Sequence, residues 1–424
     1  MTLNATLSSW LKRIETELKI SNWSELCKTD ADGISIAPAY TVTDFDSACA
    51  PAFNSSHWDI VYRLPKPYQA INANARFLKA LQSGASSIWF HVNASVFHQL
   101  FASIETPYIL NIIEGHADAL HATLDYLHSN GNKSTKIWLL QTQEANNVSN
   151  YDAFLKVYTA HHKNFNAVSW AMISTESYHA QGATAAFEIA IGLSLLVDLQ
   201  SRLKDSPAPV IFHAAVTEQF YNQISKLRAI HRIWNLWQQS NTHLPSLLLS
   251  TSNSTRFYSA LDADTNILRS AVSVLASKIG GASAIQNTTA HLHLQQHEFN
   301  YEYLAIAQQL LMREEMLLHH YADISCGAYF VEYYTDALAE KALYWISEIQ
   351  KQGGIHNAIQ KGWIKTQLDM QQQQQDAAFW NNEQFKIGIN AFLQHSDVSR
   401  LQVKSDNTFP GYNYEIKAHA NTTL

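Results

Sequence analysis

Short apolar runs alternate with longer amphipathic stretches through most of this chain. The runs are apolar at consecutive positions and rich in β-branched and aromatic residues, which is typical of strands buried on both faces of a parallel sheet. The predicted strands cover residues 86–92, 108–113, 136–141, 167–174, 209–216 and 246–252. Apolar residues at helical spacing follow each strand. The first predicted helix ends at residue 104, and the others cover residues 116–128, 151–161, 183–203, 218–239 and 265–279.

At least six βα units in succession favour an α/β fold of the (β/α)₈ TIM-barrel type. An open, doubly wound sheet stays as the alternative on pattern alone. We predict an N-terminal arm over residues 1–55, a barrel over 56–345, and a C-terminal helical extension and tail over 346–424. The glutamine run at 371–375 is either a flexible linker or the exposed side of a helix.

Composition narrows the class of protein. The chain has 424 residues, of which 46% are hydrophobic, so extensive disorder is excluded. Lys and Arg number 29 against 36 Asp and Glu, without a basic block, so we expect no nucleic-acid or anionic-membrane surface. No apolar run reaches the roughly 18 residues of a membrane span, and the N-terminus has no secretory signal, so we expect a cytoplasmic protein. The scattered cysteines (Cys27, Cys49 and Cys326) predict neither a disulfide framework nor a thiolate zinc site.

Histidines offer the first candidate chemistry. His291 and His293 share one face of a strand, and with the nearby His297 they could chelate a metal ion. A polar loop that tolerates histidines explains them equally well, and no carboxylate or cysteine signature accompanies them. We therefore predict no metal site. His161 and His162 are adjacent, point in different directions on a helix, and are weaker still as ligands.

Glu176 and His179 follow a predicted strand, where barrel enzymes keep their working residues, so they are the candidate catalytic pair. A purely structural role fits them equally well. Ser177, His179 and Gly182 come nearest to the Asp-x-His-x-x-Gly pattern of cobalamin-binding domains. Serine replaces the aspartate that would orient the histidine, so we predict no cobalt site here. The absence of Walker, GxSxG and GxGxxG motifs removes support for nucleotide or acyl-enzyme chemistry.

Seven short blocks between about residues 165 and 392 share their order and spacing with one known family. Residues 220–234 match a FF-x-EIAK-x-RA-x-R-x-x-W helix, and residues 323–338 match DPxGGSYYVExLTxxL. The other blocks lie at 182–188, 262–269, 314–315, 353–365 and 386–390. On these blocks the chain resembles the barrel domain of the methylmalonyl-CoA mutase family, whereas its first 160 residues are similar only in outline.

The resemblance implies a barrel threaded by a CoA thioester, with adenosylcobalamin held in a separate C-terminal domain. Catalytic members also carry a TRGxY motif, and the comparable region here, 58–65, lacks it. The family's substrate-binding histidine falls at Ser177, its two arginines fall at Tyr303 and Ile306, and the asparagine that follows falls at Ala307. We also expect no cobalamin domain after Asn390.

The chain keeps the family's barrel blocks but lacks the family's site residues. This combination indicates a partner subunit. We expect a non-catalytic small (β) subunit of a heterodimeric methylmalonyl-CoA mutase, which interconverts methylmalonyl-CoA and succinyl-CoA. The large catalytic subunit would carry adenosylcobalamin, and this chain would bind no cofactor. A homodimer of the chain alone stays open. The alternatives are a catalytic acyl-CoA mutase barrel with a separately encoded cobalamin domain, and an unrelated metal-dependent or acid–base barrel enzyme.

Overall fold

The computed structural model shows a closed barrel of eight parallel strands inside a layer of helices. It describes residues 3–41, 44, 52–53, 55–64, 70–92, 97–130, 135–141, 151–165, 167–203, 208–256, 258–259, 264–288, 290, 299–381, 383–387 and 390–392. Within these ranges, no helix is long and apolar enough to cross a membrane.

The described residues form ten strands, of which eight make up the barrel. The first two, β1 (Lys28–Thr29) and β2 (Ser35–Ile36), form a separate antiparallel pair. The barrel strands are β3 (Asp59–Arg63), β4 (Ser87–His91), β5 (Leu110–Gly115), β6 (Lys136–Gln141), β7 (Val168–Ser174), β8 (Val210–Val216), β9 (Leu247–Asn253) and β10 (Ala282–Gln286). Each pairs with the next along the chain, and β10 pairs with β3 to close the ring.

The helices of the described ranges alternate with these strands and then continue past the last one. They are α1 (Leu3–Leu18), α2 (Ala70–Gln82), α3 (Phe97–Leu100), α4 (Ala117–Asn130), α5 (Tyr151–His161), α6 (Glu176–Ala180), α7 (Ala185–Arg202), α8 (Phe220–Ser240), α9 (Thr265–Ile279), α10 (Phe299–Leu310), α11 (Tyr329–Lys351), α12 (Ile355–Gln360) and α13 (Trp363–Trp380). A π-helical turn, Leu311–Glu315, follows α10.

The predicted TIM barrel is confirmed, and the open sheet is wrong, because β10 returns to β3 and leaves no sheet edge. The six predicted strands are all present. The two barrel strands that sequence reasoning did not predict, β3 and β10, are five residues each. Strand β10 has the sequence ASAIQ, whose small residues carry little β-propensity. The predicted division of the chain at residues 55 and 345 stays a prediction.

Two apolar layers line the barrel wall because side chains alternate along a strand. Ile60, Ile88 and Phe212 point outward and belong to the main core, which the helices cover. Their neighbours Val61, Trp89 and Ile211 point inward and belong to a second cluster along the barrel axis. The axis is therefore a packed core of its own.

Candidate functional site at the carboxyl end of the barrel

Three charged side chains from separate strands meet inside the mouth of the barrel. Arg63 is the last residue of β3, Glu114 lies near the end of β5, and Glu176 follows β7. Arg63 donates to both carboxylate oxygens of Glu176, at 2.9 and 3.1 Å, and to Glu114 at 3.4 Å. The guanidinium also lies 4.0 Å from the ring centre of Trp89. The carboxyl ends of parallel strands are where barrel enzymes place their active sites.

Two further strands complete this network. Ser252 on β9 donates a hydrogen bond to Glu176, and His213 on β8 lies 3.4 Å from the same carboxylate oxygen. Trp89 donates from its indole nitrogen to Glu114 at 3.3 Å. We call the set of Arg63, Glu114, Glu176, His213 and Ser252 the mouth cluster.

The mouth cluster keeps Glu176 ionised. Burial alone would raise the pKa of this carboxyl, but the charge of Arg63 and the hydrogen bonds of His213 and Ser252 outweigh burial. The pKa of Glu176 is therefore held well below its usual range. The pKa of Arg63 is raised, because its two carboxylate partners outweigh the opposing effect of burial. A carboxylate locked in this way is a poor general acid near neutral pH.

Large apolar side chains fill the barrel beneath the mouth cluster. Trp89 and Trp138 are the bulkiest, with 0% and 8% of their surface exposed. The full inward-facing set is Val61, Trp89, Leu110, Ile112, Trp138, Leu140, Met172, Ile211, Ala284 and the partly buried Leu248. Their packing occupies the axis along which a barrel would otherwise admit an elongated ligand.

His179 belongs to a second buried network and does not contact the mouth cluster within the described residues. Its Nε2 lies 2.8 Å from Ser254 Oγ, and its Nδ1 lies 3.3 Å from Glu188. Lys226 donates at 2.8 Å to the same oxygen of Glu188. Burial lowers the pKa of His179, so the ring is neutral near pH 7. Burial would raise the pKa of Glu188, but Lys226 and His179 lower it to about 2.

The glutamine run covers this second network from α13. Gln371 accepts a hydrogen bond from the backbone of Thr184 at 2.9 Å, and Gln375 donates to the carbonyl of Gly182 at 2.8 Å. Both Gln372 and Gln375 accept hydrogen bonds from Arg256. The prediction of a helix is confirmed, whereas an exposed side is wrong for Gln371, which is 7% exposed.

Two cavities flank these networks. One, of about 620 Å³, lies among β1, α7, α8 and α13 and is lined by His179, Glu188 and Lys226. The other, of about 340 Å³, opens beside Arg63 and Glu176. Its wall includes Tyr62, which donates to Glu302 at 2.8 Å, and Asn287, whose buried Oδ1 has no hydrogen-bond partner in the described part of the chain.

Sequence reasoning found Glu176 and His179 but missed the residues that hold them. Glu188 and Lys226 lie in the 182–188 and 220–234 blocks, where sequence reasoning gave them no site role, and Arg63, Glu114 and His213 come from positions far apart in the chain. Arg63 and Glu114 lie at the carboxyl end of a strand, Glu188 and Lys226 lie in the first two turns of a helix that follows one, and His213 lies in the middle of β8. The histidine cluster at 291, 293 and 297 lies outside the described residues, so the prediction that it binds no metal is untested.

A comparison with known families accounts for the blocks quoted above. The sequence profile described as methylmalonyl-CoA mutase matches residues 141–411. The chain belongs to the methylmalonyl-CoA mutase family. The match includes β7 to β10 and the helices from α5 to α13.

Curated relatives agree with this membership. A probable mitochondrial methylmalonyl-CoA mutase from Caenorhabditis elegans is 29% identical over 249 residues, which are 55% of this chain and 34% of that protein. The mouse mitochondrial enzyme is 29% identical over 268 residues, or 59% and 35% of the two chains. A methylmalonyl-CoA mutase large subunit from Propionibacterium freudenreichii is 28% identical over 256 residues, or 57% and 35%. The chain spans about a third of the length of these relatives.

The family blocks serve the packing of the helices against the barrel. Arg228, from the 220–234 block on α8, is 1% exposed and pairs with Asp323 and Glu332 of the 323–338 block. Arg232 of the same helix pairs with Asp336 on α11. Two positions that the resemblance aligns with polar residues of the family take no part in these pairs: Ser177 is exposed on α6, and Ile306 is a buried apolar residue of α10.

Proposed function

We propose that this chain is the non-catalytic small subunit of an adenosylcobalamin-dependent methylmalonyl-CoA mutase. The observation that carries the proposal is the filled barrel axis. A CoA thioester needs a continuous passage through the barrel, and here Trp89, Trp138, Met172 and their neighbours occupy that space. Opening a passage would mean displacing side chains from a core packed at the density of a protein interior.

The charges at the barrel mouth support the same proposal. A dicarboxylic acyl-CoA needs a free cation for its carboxylate, and the cation here, Arg63, is already engaged by two glutamates. Arg63, Glu114 and Glu176 together carry one positive and two negative charges, so these three side chains disfavour an anionic acyl group. The family's substrate-binding histidine and its two arginines are also missing. Their positions in this chain hold Ser177, Tyr303 and Ile306.

Adenosylcobalamin does not fit the residues nearest to a cobalt-ligand pattern. Glu188 contacts His179 Nδ1 as an orienting carboxylate would, but the ligand nitrogen, Nε2, is engaged by Ser254. The ring is also 8% exposed, within a network covered by α13. We therefore assign the cofactor, which supplies the radical when bound, to the large subunit, and we assign this chain the role of supporting that subunit in the cytoplasm.

Reconstitution tests the proposal. The chain is co-purified with a large subunit that has a complete barrel and an Asp-x-His-x-x-Gly domain, and mutase activity is measured for each chain and for the complex. We expect activity in the complex, none in this chain alone, and no base-off cobalamin spectrum when this chain is titrated with adenosylcobalamin. Activity of this chain with a free cobalamin domain would contradict the proposal.

One observation favours the second candidate, a catalytic barrel with a separate cobalamin domain. The 340 Å³ cavity places Tyr62 beside Arg63 at the barrel mouth, where a small acyl group could lie. The variant Tyr62→Phe separates the two candidates because it removes only the hydroxyl that binds Glu302. A scaffold should keep the turnover of the complex within about twofold, whereas loss of a catalytic proton donor costs about 10²–10⁴ in rate.

A further inference from the structure

Two helices on the outside of the barrel bring together three metal-ligating side chains that lie far from both networks described above. His121 and Asp125 are one turn apart on α4, and His161 is the last residue of α5. The ligand atoms of the three side chains all lie within 4.8 Å of one another. Residues four apart on a helix share a face, which explains why His121 and Asp125 both point to α5.

The distances are close to those of a bound ion. His161 Nε2 lies 2.6 Å from His121 Nδ1 and 3.9 Å from Asp125 Oδ1. The 3.6 Å contact of His121 with Asp125 Oδ2 is made by its other ring nitrogen, Nε2, so an ion held by His121 Nδ1 and His161 Nε2 would take Asp125 through a carboxylate oxygen that lies within 4.8 Å of both. Zinc is bound by histidine nitrogens at about 2.0–2.1 Å, so the two nitrogens of a tetrahedral site lie about 3.3 Å apart. The histidine pair must therefore separate by about 0.7 Å to admit an ion.

Exposure decides which side chain can move. His161 is 2% exposed and fixed in the packing between the helices, whereas the side chains of His121 and Asp125 are 50% and 62% exposed. A small rotation of His121 widens the site without disturbing the core. The fourth coordination position faces solvent, and water can occupy it.

From this geometry we infer that His121, Asp125 and His161 form a binding site for a divalent transition metal of the zinc type, which joins α4 to α5. Two imidazoles and a carboxylate suit Zn²⁺ and Co²⁺, whereas Mg²⁺ and Ca²⁺ prefer oxygen ligands. Nδ1 of His161 has no hydrogen-bond partner within the described residues. A hydrogen-bond partner on the second ring nitrogen usually raises the metal affinity of a histidine by about 10- to 100-fold. Because His161 lacks such a partner in the described part of the chain, we expect weaker metal binding, with a dissociation constant on the order of micromolar.

The site stabilises the protein only when the metal is present. Binding to the folded state alone raises the melting temperature, by about 3–6 °C when free Zn²⁺ exceeds the dissociation constant a hundredfold. It does not involve the mouth cluster, so it is independent of the proposed subunit role.

Cobalt titration of the tag-free, metal-stripped chain tests the inference. Twenty histidines give background binding, so the readout is the difference between the chain and matched variants. We expect one equivalent of Co²⁺ with visible absorption of tetrahedral or five-coordinate type, displaced by Zn²⁺. His121→Gln and Asp125→Asn, both at exposed positions, should lose this equivalent and the rise in melting temperature.

The controls are His243→Gln, an exposed loop histidine, and Asp118→Asn, an exposed carboxylate on the same helix. Both should keep the cobalt spectrum and the thermal shift. An unaltered spectrum in His121→Gln and Asp125→Asn, or no difference between them and the two controls, would overturn the inference. Absence of a spectrum in the unaltered chain at 100 μM Co²⁺ (about a hundredfold above a micromolar dissociation constant) would overturn it as well.

Discussion

Several deeply buried ionisable side chains are paired with side chains of opposite charge. Lys226 and Glu188 are 1% and 0% exposed and pair at 2.8 Å, and Arg228 pairs with Asp323 and Glu332 in the same way. Such pairs contribute little net stability, but the loss of one partner leaves an uncompensated charge in the core. The geometry of the helices around the mouth depends on these pairs.

Lys226→Met tests this dependence. Glu188 would keep Thr175 and His179 as partners but would lose its cation, so we expect the free energy of unfolding to fall by about 3–5 kcal/mol. The matched control is Lys365→Met, which breaks an exposed pair with Asp369 and should change stability by less than about 0.5 kcal/mol. Urea unfolding followed by tryptophan fluorescence measures both. An equal fall in unfolding free energy in the two variants would show that burial of the pair does not increase its effect on stability.

Asp32 gives a pH-dependent prediction. Burial, with Asp30 nearby, raises its pKa from 3.8 to about 6, although Thr184 and the backbone of Ala186 bind its carboxylate. The folded chain therefore holds this proton more tightly than the unfolded chain. Its stabilising contribution is full below about pH 4 and is lost as the pH rises through about 6. The loss amounts to about 3 kcal/mol.

Asp32→Asn removes the titrating group but keeps an oxygen for the amide of Ala186. We expect the stability difference between the variant and the unaltered chain to favour the variant increasingly from pH 4 to pH 7. Thermal melting across this range is the measurement. A difference that stays constant with pH would show that Asp32 does not titrate there.

At the scale of elements, α13 packs so closely against Gly182 that no side chain fits at that position. Gly182, with φ +104°, lies directly under the helix, and a Cβ there would be 2.7 Å from Gln372 Cβ. Gly327 has a similar positive φ of +82°, but a Cβ there would meet nothing within 4 Å. Gly327 is therefore required for its backbone conformation alone, whereas Gly182 is required for both its conformation and its close contact.

The two glycines form a matched pair of variants. Gly327→Ala should cost about 1–3 kcal/mol from backbone strain alone. Gly182→Ala adds a steric clash to a similar strain, so we expect a larger loss and faster proteolysis within α13. Differential scanning calorimetry and limited trypsin digestion measure the two effects. Similar melting temperatures and cleavage rates would show that α13 adjusts to the added methyl group.

At the scale of the whole molecule, helix α1 presents exposed apolar side chains at the surface. Trp10 and Leu18 of α1 are 40% and 57% exposed. If the chain supports a large subunit as proposed, this helix is a candidate to contact the partner. Aromatic residues are enriched at interface centres, where they contribute much of the binding energy.

Deletion of residues 1–25 should therefore weaken association with the large subunit more than it lowers the melting temperature of this chain. Sedimentation of the mixture and thermal melting of the chain alone provide the two readouts. The double variant Trp10→Ala with Leu18→Ala is the milder version, and exposed Lys12→Ala is its control. Undiminished association after the deletion would remove α1 from the interface.

The sequence by itself determined the barrel class, because burial on both faces of a strand is recorded in consecutive apolar positions. It also determined family membership, since the blocks at 220–234 and 323–338 encode one network between α8 and α11. Helices α5 and α9 have the predicted bounds because their periodicity is uninterrupted. These features depend on residues that are near one another in the chain or in one motif.

Tertiary structure alone decided what lies inside the barrel. The direction in which Trp89 or Trp138 points depends on strand register, and the partners of Arg63 lie 51 and 113 residues further along the chain. Likewise, sequence reasoning assigned little weight to His161 and His162 as metal ligands, and only the packing of α4 against α5 places His161 next to His121 and Asp125. A periodic pattern records whether a residue is buried but not which distant residue it meets. The filled axis, the closed charge network and the metal-site geometry are therefore properties of the fold.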